Sequence, residues 1–336
     1  MALLETVTVP PADAGLRLDR WLKAQFPGLG QGAVQKFLRT GQIRVDGRRA
    51  KANLRLIEGM EVRVPPQARQ VPTDSGSGPN AKPKPKPRDI ALTREEAKDL
   101  RRRVLYRDGE IIVLDKPAGL AVQGGTRTQR HLDGMLDALR FGSSERPRLV
   151  HRLDKDTSGV LVLARTRQAA QWLTAAFRGR ETRKLYLAVT VGAPRPRRGK
   201  ISLALGKGGG PGAERMGAGE TDAKGAVTLY DTLDSAGSRA ALVALMPLTG
   251  RTHQLRAHMA AIEAPILADG KFGGRDAFLT GHGLENRLHL HARAIEIPRP
   301  SGPPLRVKAP LPPHLESALR AFGFTCPALE DRFPRD

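Results

Sequence analysis

The segment best suited to chemistry is His151–Gly159, which reads His-Arg-Leu-Asp-Lys-Asp-Thr-Ser-Gly. It precedes the apolar run Val160–Ala164, and a short apolar run of this kind predicts a buried strand. Polar side chains in a loop beside such a strand lie at the edge of a core, where water is limited. A carboxylate in that position is either a turn-forming group or a reactive one.

Asp154 is a candidate for the reactive role. Basic neighbours keep a carboxylate ionised even when burial disfavours its charge, and the loop supplies His151, Arg152 and Lys155. A charged, positioned carboxylate can form a covalent bond or remove a proton. The chemistry of the residues alone does not separate Asp154 from its neighbour Asp156.

A second polar cluster occupies Gly250–His258, which reads Gly-Arg-Thr-His-Gln-Leu-Arg-Ala-His. The spacing predicts a helix over residues 252–262, with His253 and Arg256 on one face. An arginine there can hold a carboxylate in a bidentate pair that fixes its orientation and charge. The histidines of this region are better explained by packing than by ligation, so we expect no metal site.

A third candidate group lies on a predicted strand, Arg183–Leu187. Lys184 and Tyr186 point to one face of this strand, and the leucines point to the other. A tyrosine beside a basic side chain on a polar face is suited to stacking on a nucleic-acid base.

These motifs, in this order, resemble the RluA family of pseudouridine synthases. The resemblance extends over residues 104–297. It implies that Asp154 is the catalytic aspartate, that Tyr186 is the family's tyrosine, and that Arg256 pairs with the catalytic carboxylate. It also implies that Arg152 occupies the space left by an extruded base. The remaining side chains expected to bind substrate are Lys184, Arg251 and His253.

The family's reaction isomerises uridine to pseudouridine in RNA and needs no cofactor or metal, because nothing is oxidised or transferred elsewhere. Family members with an N-terminal RNA-binding module resemble enzymes that act on large-subunit (23S) ribosomal RNA. Relatives usually read Gly-Asp and Tyr-Gly where this chain has Ala268-Asp269 and Phe272-Gly273. Those departures lie outside the catalytic motifs.

The elements around these motifs predict an α+β fold with a mixed, mainly antiparallel sheet, consistent with the pseudouridine synthase fold. The predicted strands outnumber the helices and do not alternate strictly with them. We expect a hairpin over 105–114 and strands over 185–191, 227–233, 241–246 and 288–297. Helices are expected over 131–141 and 168–177.

The N-terminal residues predict a small separate domain. Leu18, Trp21, Leu22 and Phe26 recur at helical spacing, and Val45-Asp46-Gly47-Arg48 predicts a tight hairpin. With the second predicted helix around Val34–Leu38, this pattern resembles the alpha-L RNA-binding module. The side chains expected to contact RNA there are basic: Lys36, Arg39, Arg44 and Arg48.

Proline and lysine mark the boundary between the two domains. Prolines are frequent from Pro65 to Pro87, and they favour an extended chain. We therefore predict an alpha-L domain over 1–64, a linker over 65–100, a catalytic domain over 101–325 and a C-terminal tail over 326–336. The glycine-rich stretch Gly206–Gly225 is expected to be a mobile loop.

The composition fits an RNA partner. The chain has 336 residues and a formal net charge of +22, which favours binding to a polyanion. Its single cysteine, Cys326, and the lack of a signal peptide or long apolar run predict a cytoplasmic protein that does not associate with membranes. No coiled-coil pattern is visible, so we expect a monomer.

Two other classes of function share some of these features. An RNA-binding protein without catalysis would have the same charge, linker and N-terminal module, but it would not explain the embedded aspartate, the tyrosine and the arginine. A metal-dependent nuclease would use the histidines, which lack carboxylates at ligand spacing.

Overall fold

The computed structural model describes residues 5–66, 68, 90–125, 128–206, 224–279 and 283–327. The chain divides into two compact units, residues 1–86 and residues 87–336. Most of the predicted linker, most of the Gly206–Gly225 stretch and most of the C-terminal tail lie outside the described residues. Among the described helices, none has both the length and the apolar character needed to cross a lipid bilayer.

The N-terminal unit has the predicted helices and hairpin. Its helices are α1 (Leu18–Gln25) and α2 (Gln31–Arg39), and its strands are β1 (Glu5–Thr8), β2 (Arg44–Val45), β3 (Arg48–Arg49) and β4 (Glu61–Val64). The strands form an antiparallel sheet in the order β1-β4-β2-β3. Leu18, Trp21 and Leu22 are completely buried, so the apolar spacing marks the face of α1 that packs in the core.

The β2–β3 turn shows why the sequence predicts this hairpin. Asp46 and Gly47 have φ angles of 48° and 72°, and a two-residue hairpin turn needs left-handed conformations at both positions. Aspartate and glycine tolerate these conformations better than other residues do.

The second unit combines seven helical segments with ten strands in its described residues. The α-helices are α3 (Arg94–Arg102), α4 (Leu132–Met135), α5 (Arg167–Gly179), α6 (Gln254–Ala261) and α7 (Pro313–Phe322), and the 3₁₀ helices span Leu136–Leu139 and Gly274–Ala277. The strands are β5 (Val104–Arg107), β6 (Ile111–Lys116), β7 (Arg148–Leu149), β8 (Ser158–Ala164), β9 (Arg183–Val191), β10 (Arg198–Leu205), β11 (Lys224–Ala236), β12 (Ala240–Pro247), β13 (Leu290–Ile297) and β14 (Leu305–Lys308).

These strands form one mixed, mainly antiparallel sheet, which confirms the predicted α+β class. The main path runs β10-β11-β12-β9-β13-β8-β6-β5, with β14 beside β13 and β7 beside β8. The pairing of β8 with β13 is the parallel one. All seven residues of β8 are buried, so this strand runs through the core as its apolar sequence predicts.

Helix α3 begins inside the predicted linker and corrects its C-terminal boundary. Thr93 accepts a hydrogen bond from the Glu96 backbone N–H, while Glu96 accepts one from the Thr93 backbone N–H. This capping box is a strong helix start. Leu100 packs in the core of the second unit together with Ile90 and Leu92. The described part of that unit therefore begins by residue 90 rather than at the predicted residue 101.

The helix predicted over 131–141 is shorter than expected. It consists of α4 and the following 3₁₀ segment Leu136–Leu139. The His131 side chain caps it by accepting a hydrogen bond of 3.0 Å from the Gly134 backbone N–H.

Candidate active site

A cavity of about 540 Å³ brings the predicted site residues together. Its volume lies within the range of about 300–1,000 Å³ that small-molecule sites occupy. Six of the seven predicted catalytic and substrate-binding side chains line it: Arg152, Asp154, Lys184, Tyr186, Arg251 and Arg256. They come from the β7–β8 loop, from β9, and from the β12–α6 segment, so distant parts of the chain form one wall.

Asp154 lies in the loop that enters β8, with its side chain 19% exposed. The backbone carbonyl of Asp154 accepts a hydrogen bond of 3.2 Å from the Thr157 N–H. At the end of the loop, the Ser158 hydroxyl and His291 Nδ1 are joined by a buried hydrogen bond of 2.9 Å. The turn and this bond to β13 fix the loop, and the carboxylate group is left at the cavity wall.

Lys116, at the end of β6, supports the same loop and was missed by the sequence analysis. Its side chain is buried, and Nζ donates hydrogen bonds to the carbonyls of Pro117, Leu120 and Lys155 at 2.9, 2.9 and 3.0 Å. Burial lowers the pKa of Lys116 to about 8, against the opposing effect of the nearby aspartates. The sequence feature that could have indicated this role is a lysine at the end of an apolar strand, directly before a proline.

Tyr186 lies close enough to Asp154 for the charge of the carboxylate to affect the pKa of the tyrosine hydroxyl. Burial raises the pKa of the Tyr186 hydroxyl above its usual value, and the Asp154 carboxylate raises it further. The tyrosine is therefore neutral at physiological pH. It sits on β9 opposite Ala292 of β13 and Leu245 of β12, near the centre of the sheet, where its backbone is held on both sides.

The carboxylate that Arg256 holds is that of Asp269, which corrects the predicted pairing with Asp154. Arg256 Nε and Nη2 donate to the two Asp269 oxygens at 2.8 and 2.6 Å. Both side chains are almost completely buried, at 10% and 1% exposure. Burial alone would lower the pKa of Arg256, but Asp269 raises it, and Asp154 adds to the effect. Arg256 therefore faces Asp154 as a fixed charge without a direct hydrogen bond.

The loop carrying Asp269 belongs to the site, although its sequence departures lie outside the predicted motifs. Asp269 Oδ1 also accepts hydrogen bonds of 3.2 Å from the backbone N–H groups of Lys271 and Phe272. The Phe272 ring lies 5.0 Å from the Arg256 guanidinium carbon, a distance suited to a cation–π contact. These contacts give the guanidinium a single orientation.

His253 stands beside the cavity wall rather than on the predicted helix face. It is the N-cap of α6, with a left-handed φ of 53°, so the helix begins at Gln254, two residues after the predicted start. Its Nε2 is 4.0 Å from Asp154 Oδ1, and its ring meets Phe272 edge-on at 5.6 Å. The histidine thus links the Asp154 loop to the Asp269 loop.

Gln254 organises the segment that carries Arg251. Its buried amide oxygen accepts hydrogen bonds from the Thr249 hydroxyl at 2.7 Å and from the Arg251 N–H at 3.0 Å. Its amide nitrogen donates to the Val227 carbonyl at 2.9 Å. These bonds fix the backbone at Arg251, whose side chain is exposed at the cavity.

His151 also lines the cavity. Its ring stacks on Phe177 at 4.2 Å, and its Nε2 accepts a hydrogen bond of 2.8 Å from the Val162 N–H. Burial, and to a lesser extent the charge of Lys184, lowers the pKa of His151 to about 3. His151 is therefore neutral, as an acceptor at Nε2 requires.

Among the described residues, His258, His289, His291 and His314 pack within the core. His258 Nδ1 and the Thr228 hydroxyl are 2.9 Å apart, and the rings of His289 and His314 meet edge-on at 5.2 Å. Within the described ranges, no group of three or more histidine, cysteine, aspartate or glutamate side chains is arranged to hold a metal ion.

The predicted RNA-binding residues of the N-terminal unit lie around its second helix and hairpin. Lys36 and Arg39 are exposed on α2, and Arg48 is exposed on β3. Arg44 is half-buried, and its guanidinium donates to the carbonyls of Gly41 and Gly47 at 3.2 Å each. Arg44 thus also supports the hairpin.

Comparison with known proteins identifies the class of enzyme to which this fold and site belong. The profile of the RNA pseudouridylate synthase family matches residues 110–261. A protein named ribosomal large subunit pseudouridine synthase C, from Rickettsia bellii, is 33% identical over 311 residues, covering 92% of this chain and 98% of its own length. The chain therefore belongs to the RNA pseudouridylate synthase family and is an RNA pseudouridine synthase, an isomerase.

Other relatives agree with this placement. Proteins of the same name from Vibrio cholerae and Escherichia coli K12 are 34% and 33% identical, covering 91% and 94% of this chain and 93% and 96% of their own lengths. The solved structure of human RNA pseudouridylate synthase domain containing 4 superimposes with a TM-score of 0.59 at 31% identity, covering 69% of this chain and 97% of its own. This similarity confirms the predicted pseudouridine synthase fold.

Proposed function

We propose that this enzyme isomerises uridines in large-subunit ribosomal RNA. The relatives that match nearly the full chain carry that substrate in their names. The net charge of +22 favours a polyanionic substrate. The N-terminal unit adds exposed cations at Lys36, Arg39 and Arg48, which would position RNA through its phosphates without reading its sequence.

We further propose that Asp154 is the catalytic group. The observation that carries this proposal is the position of its partly exposed carboxylate in the cavity, beside Tyr186 and facing the fixed charge of Arg256. Asp156 is absent from the residues that line the cavity, which supports the choice of Asp154 over its neighbour.

The uridine must leave its helix to reach this cavity, because the reacting atoms are inaccessible in a stacked strand. Tyr186 is half-buried and neutral, so its ring would stack on the extruded base. Arg152 is exposed and lines the cavity, and it would occupy the space that the base vacates. Lys184, Arg251 and His253 would complete the contacts to the nucleotide.

The reaction breaks the N1–C1′ bond, turns the base within the cavity and forms the C5–C1′ bond. The C5 proton is then released to water and N1 takes up a proton, so atoms and electrons balance without an oxidant, and we propose that no cofactor takes part. Asp154 would act in one of two ways: its oxygen bonds to C1′, or it removes a ribose proton. Both require an ionised carboxylate.

Substitution of the two neighbouring aspartates tests the assignment. In RNA carrying tritium at uridine C5, isomerisation releases tritium to water. Asp154→Asn should reduce release by at least about 10²–10⁴-fold, the range expected for a positioned acid–base group, while RNA affinity is retained. Asp156→Asn is the matched control and should keep most of the activity. Normal turnover by Asp154→Asn, or equal losses in both variants, would refute the assignment.

Mapping of pseudouridines tests the substrate. Ribosomal RNA from cells lacking this gene should have unmodified uridines in the large subunit that are restored by the wild-type gene and not by Asp154→Asn. Loss confined to small-subunit or transfer RNA would contradict the proposed substrate and leave the catalytic assignment intact.

A further inference from the structure

Three cations lie at the turn between α5 and β9, and the proposed chemistry gives a role to only one of them, Lys184. Arg178 lies in the last turn of α5, Arg180 is the C-cap of that helix, and Lys184 lies on β9. All three line the cavity that contains Asp154. The two arginines are exposed, and the lysine is half-buried.

These cations have no acidic partner in the part of the chain that the structure describes. The next arginine along the chain, Arg183, shows the contrast, because it faces Glu296 at 3.9 Å. Burial lowers the pKa of Lys184, and the nearby charge of Arg180 lowers it further. Like charges held together without a counter-ion repel each other, and a bound anion would relieve that repulsion.

The backbone at Arg180 adds an independent observation. Its φ and ψ of 65° and 19° are left-handed, a conformation that glycine adopts without strain and other residues do not. Helix α7 ends in the same conformation, with Gly323 at 68° and 24°. Glycine would therefore complete the α5 cap equally well, and what arginine adds at this position is its guanidinium group.

We propose that Arg178, Arg180 and Lys184 bind phosphodiester groups of the RNA strand that flanks the extruded uridine. This inference rests on the proposed function, since it assumes that the nucleoside enters the same cavity. The half-buried lysine is placed for the phosphate nearest the target nucleotide. The exposed arginines are placed for the adjacent phosphates, where a guanidinium can form paired hydrogen bonds.

Arg180→Gly tests the proposal because it removes the cation while improving the helix cap. We expect its melting temperature to equal or exceed that of the wild type. With a tritiated large-subunit RNA fragment, kcat/KM should fall roughly tenfold, as for loss of a charged hydrogen bond, while kcat at saturating RNA changes little. The dependence of log(kcat/KM) on log salt concentration should become shallower by about 0.7 for each lost phosphate contact with a single strand.

Three further variants make the result specific. Arg180→Lys keeps the charge at the strained position and should recover part of the lost kcat/KM. Arg178→Ala, at an exposed helical position, should reproduce the shallower salt dependence without touching the cap. Arg183→Ala is the control, because Arg183 is exposed but outside the cavity lining, and it should match the wild type.

Wild-type kcat/KM and salt dependence in both Arg180→Gly and Arg178→Ala would overturn the proposal. Failure of the proposed function gives a different result, since the wild-type enzyme itself would then release no tritium from the RNA. In that case the affinity of Asp154→Asn for the same RNA, with and without Arg180→Gly, still tests the phosphate contact. If adding Arg180→Gly leaves the salt dependence of that affinity unchanged, Arg180 does not contact a phosphate.

Discussion

The buried Arg256–Asp269 pair offers a direct test of how the site is held together. Asp269→Asn keeps the size of the side chain and an oxygen for the backbone N–H groups of Lys271 and Phe272. It removes the negative charge and one of the two acceptors of Arg256. The guanidinium is then left buried without its partner.

The expected loss in the free energy of unfolding follows from burial. Breaking a buried ion pair by removing one partner costs about 3–5 kcal/mol. The nearby charge of Asp154 partly compensates Arg256, and asparagine preserves the turn, so we expect about 3 kcal/mol, the lower end of that range. Arg256→Met should also destabilise the protein. The double variant should lose less than the sum, with a coupling energy of about 2–3 kcal/mol.

Urea unfolding followed by tryptophan fluorescence measures these values. The chain has two tryptophans, Trp21 in the N-terminal unit and Trp172 in the second, so a Trp21→Phe background reports the second unit alone. Asp231→Asn is the matched control. Asp231 pairs with Arg198 at 2.9 Å, but the arginine is 78% exposed, and an exposed pair contributes about 0–1 kcal/mol.

Two outcomes would refute this reasoning. One is a loss for Asp269→Asn no greater than that for Asp231→Asn. The other is a loss of unfolding free energy in the double variant that equals the sum of the losses in the two single variants, which would mean that the two side chains do not act as a pair. Asp269→Asn and Arg256→Met should also release tritium more slowly. Their kcat should fall by roughly 10²-fold, the effect expected when a catalytic geometry shifts by about 1 Å.

The remaining predictions concern backbone packing and pH. Gly159 has a φ of 103°, and a Cβ there would lie 2.2 Å from the Ala292 carbonyl oxygen. Gly159→Ala should therefore destabilise the second unit by roughly 3 kcal/mol or more. An unchanged midpoint of urea unfolding would contradict this close approach. Burial lowers the pKa values of His151, His289 and His291 to about 3, 4 and 3. The unfolded chain then binds protons below pH 6.5 that the folded chain does not, so stability falls as pH decreases, by about 2 kcal/mol per histidine at pH 5. His291→Gln should remove about 2 kcal/mol of that pH dependence between pH 7 and pH 5, and a slope equal to the wild type would show that His291 is protonated in the folded protein.

Part of the fold and site follows from the sequence, because local patterns carry it. The spacing of Leu18, Trp21 and Leu22 predicts α1, and the Asp46-Gly47 pair predicts the hairpin; each depends on near neighbours in the chain. The polar loop around Asp154 is recognisable because a run of charged residues meets an apolar strand. The order of the motifs then identifies the family, as the comparisons confirm.

Contacts between distant segments were decided only by the tertiary structure. Arg256 is near two carboxylates in space, and the fold brings Asp269 rather than Asp154 within hydrogen-bonding distance of it. Lys116 stands 39 residues before Lys155, so its support of the Asp154 loop leaves no periodic signal. The left-handed caps at Arg180 and His253 are likewise set by where the chain must turn. Local sequence specifies elements through short-range sterics and periodicity, whereas the choice of partner depends on which elements pack together.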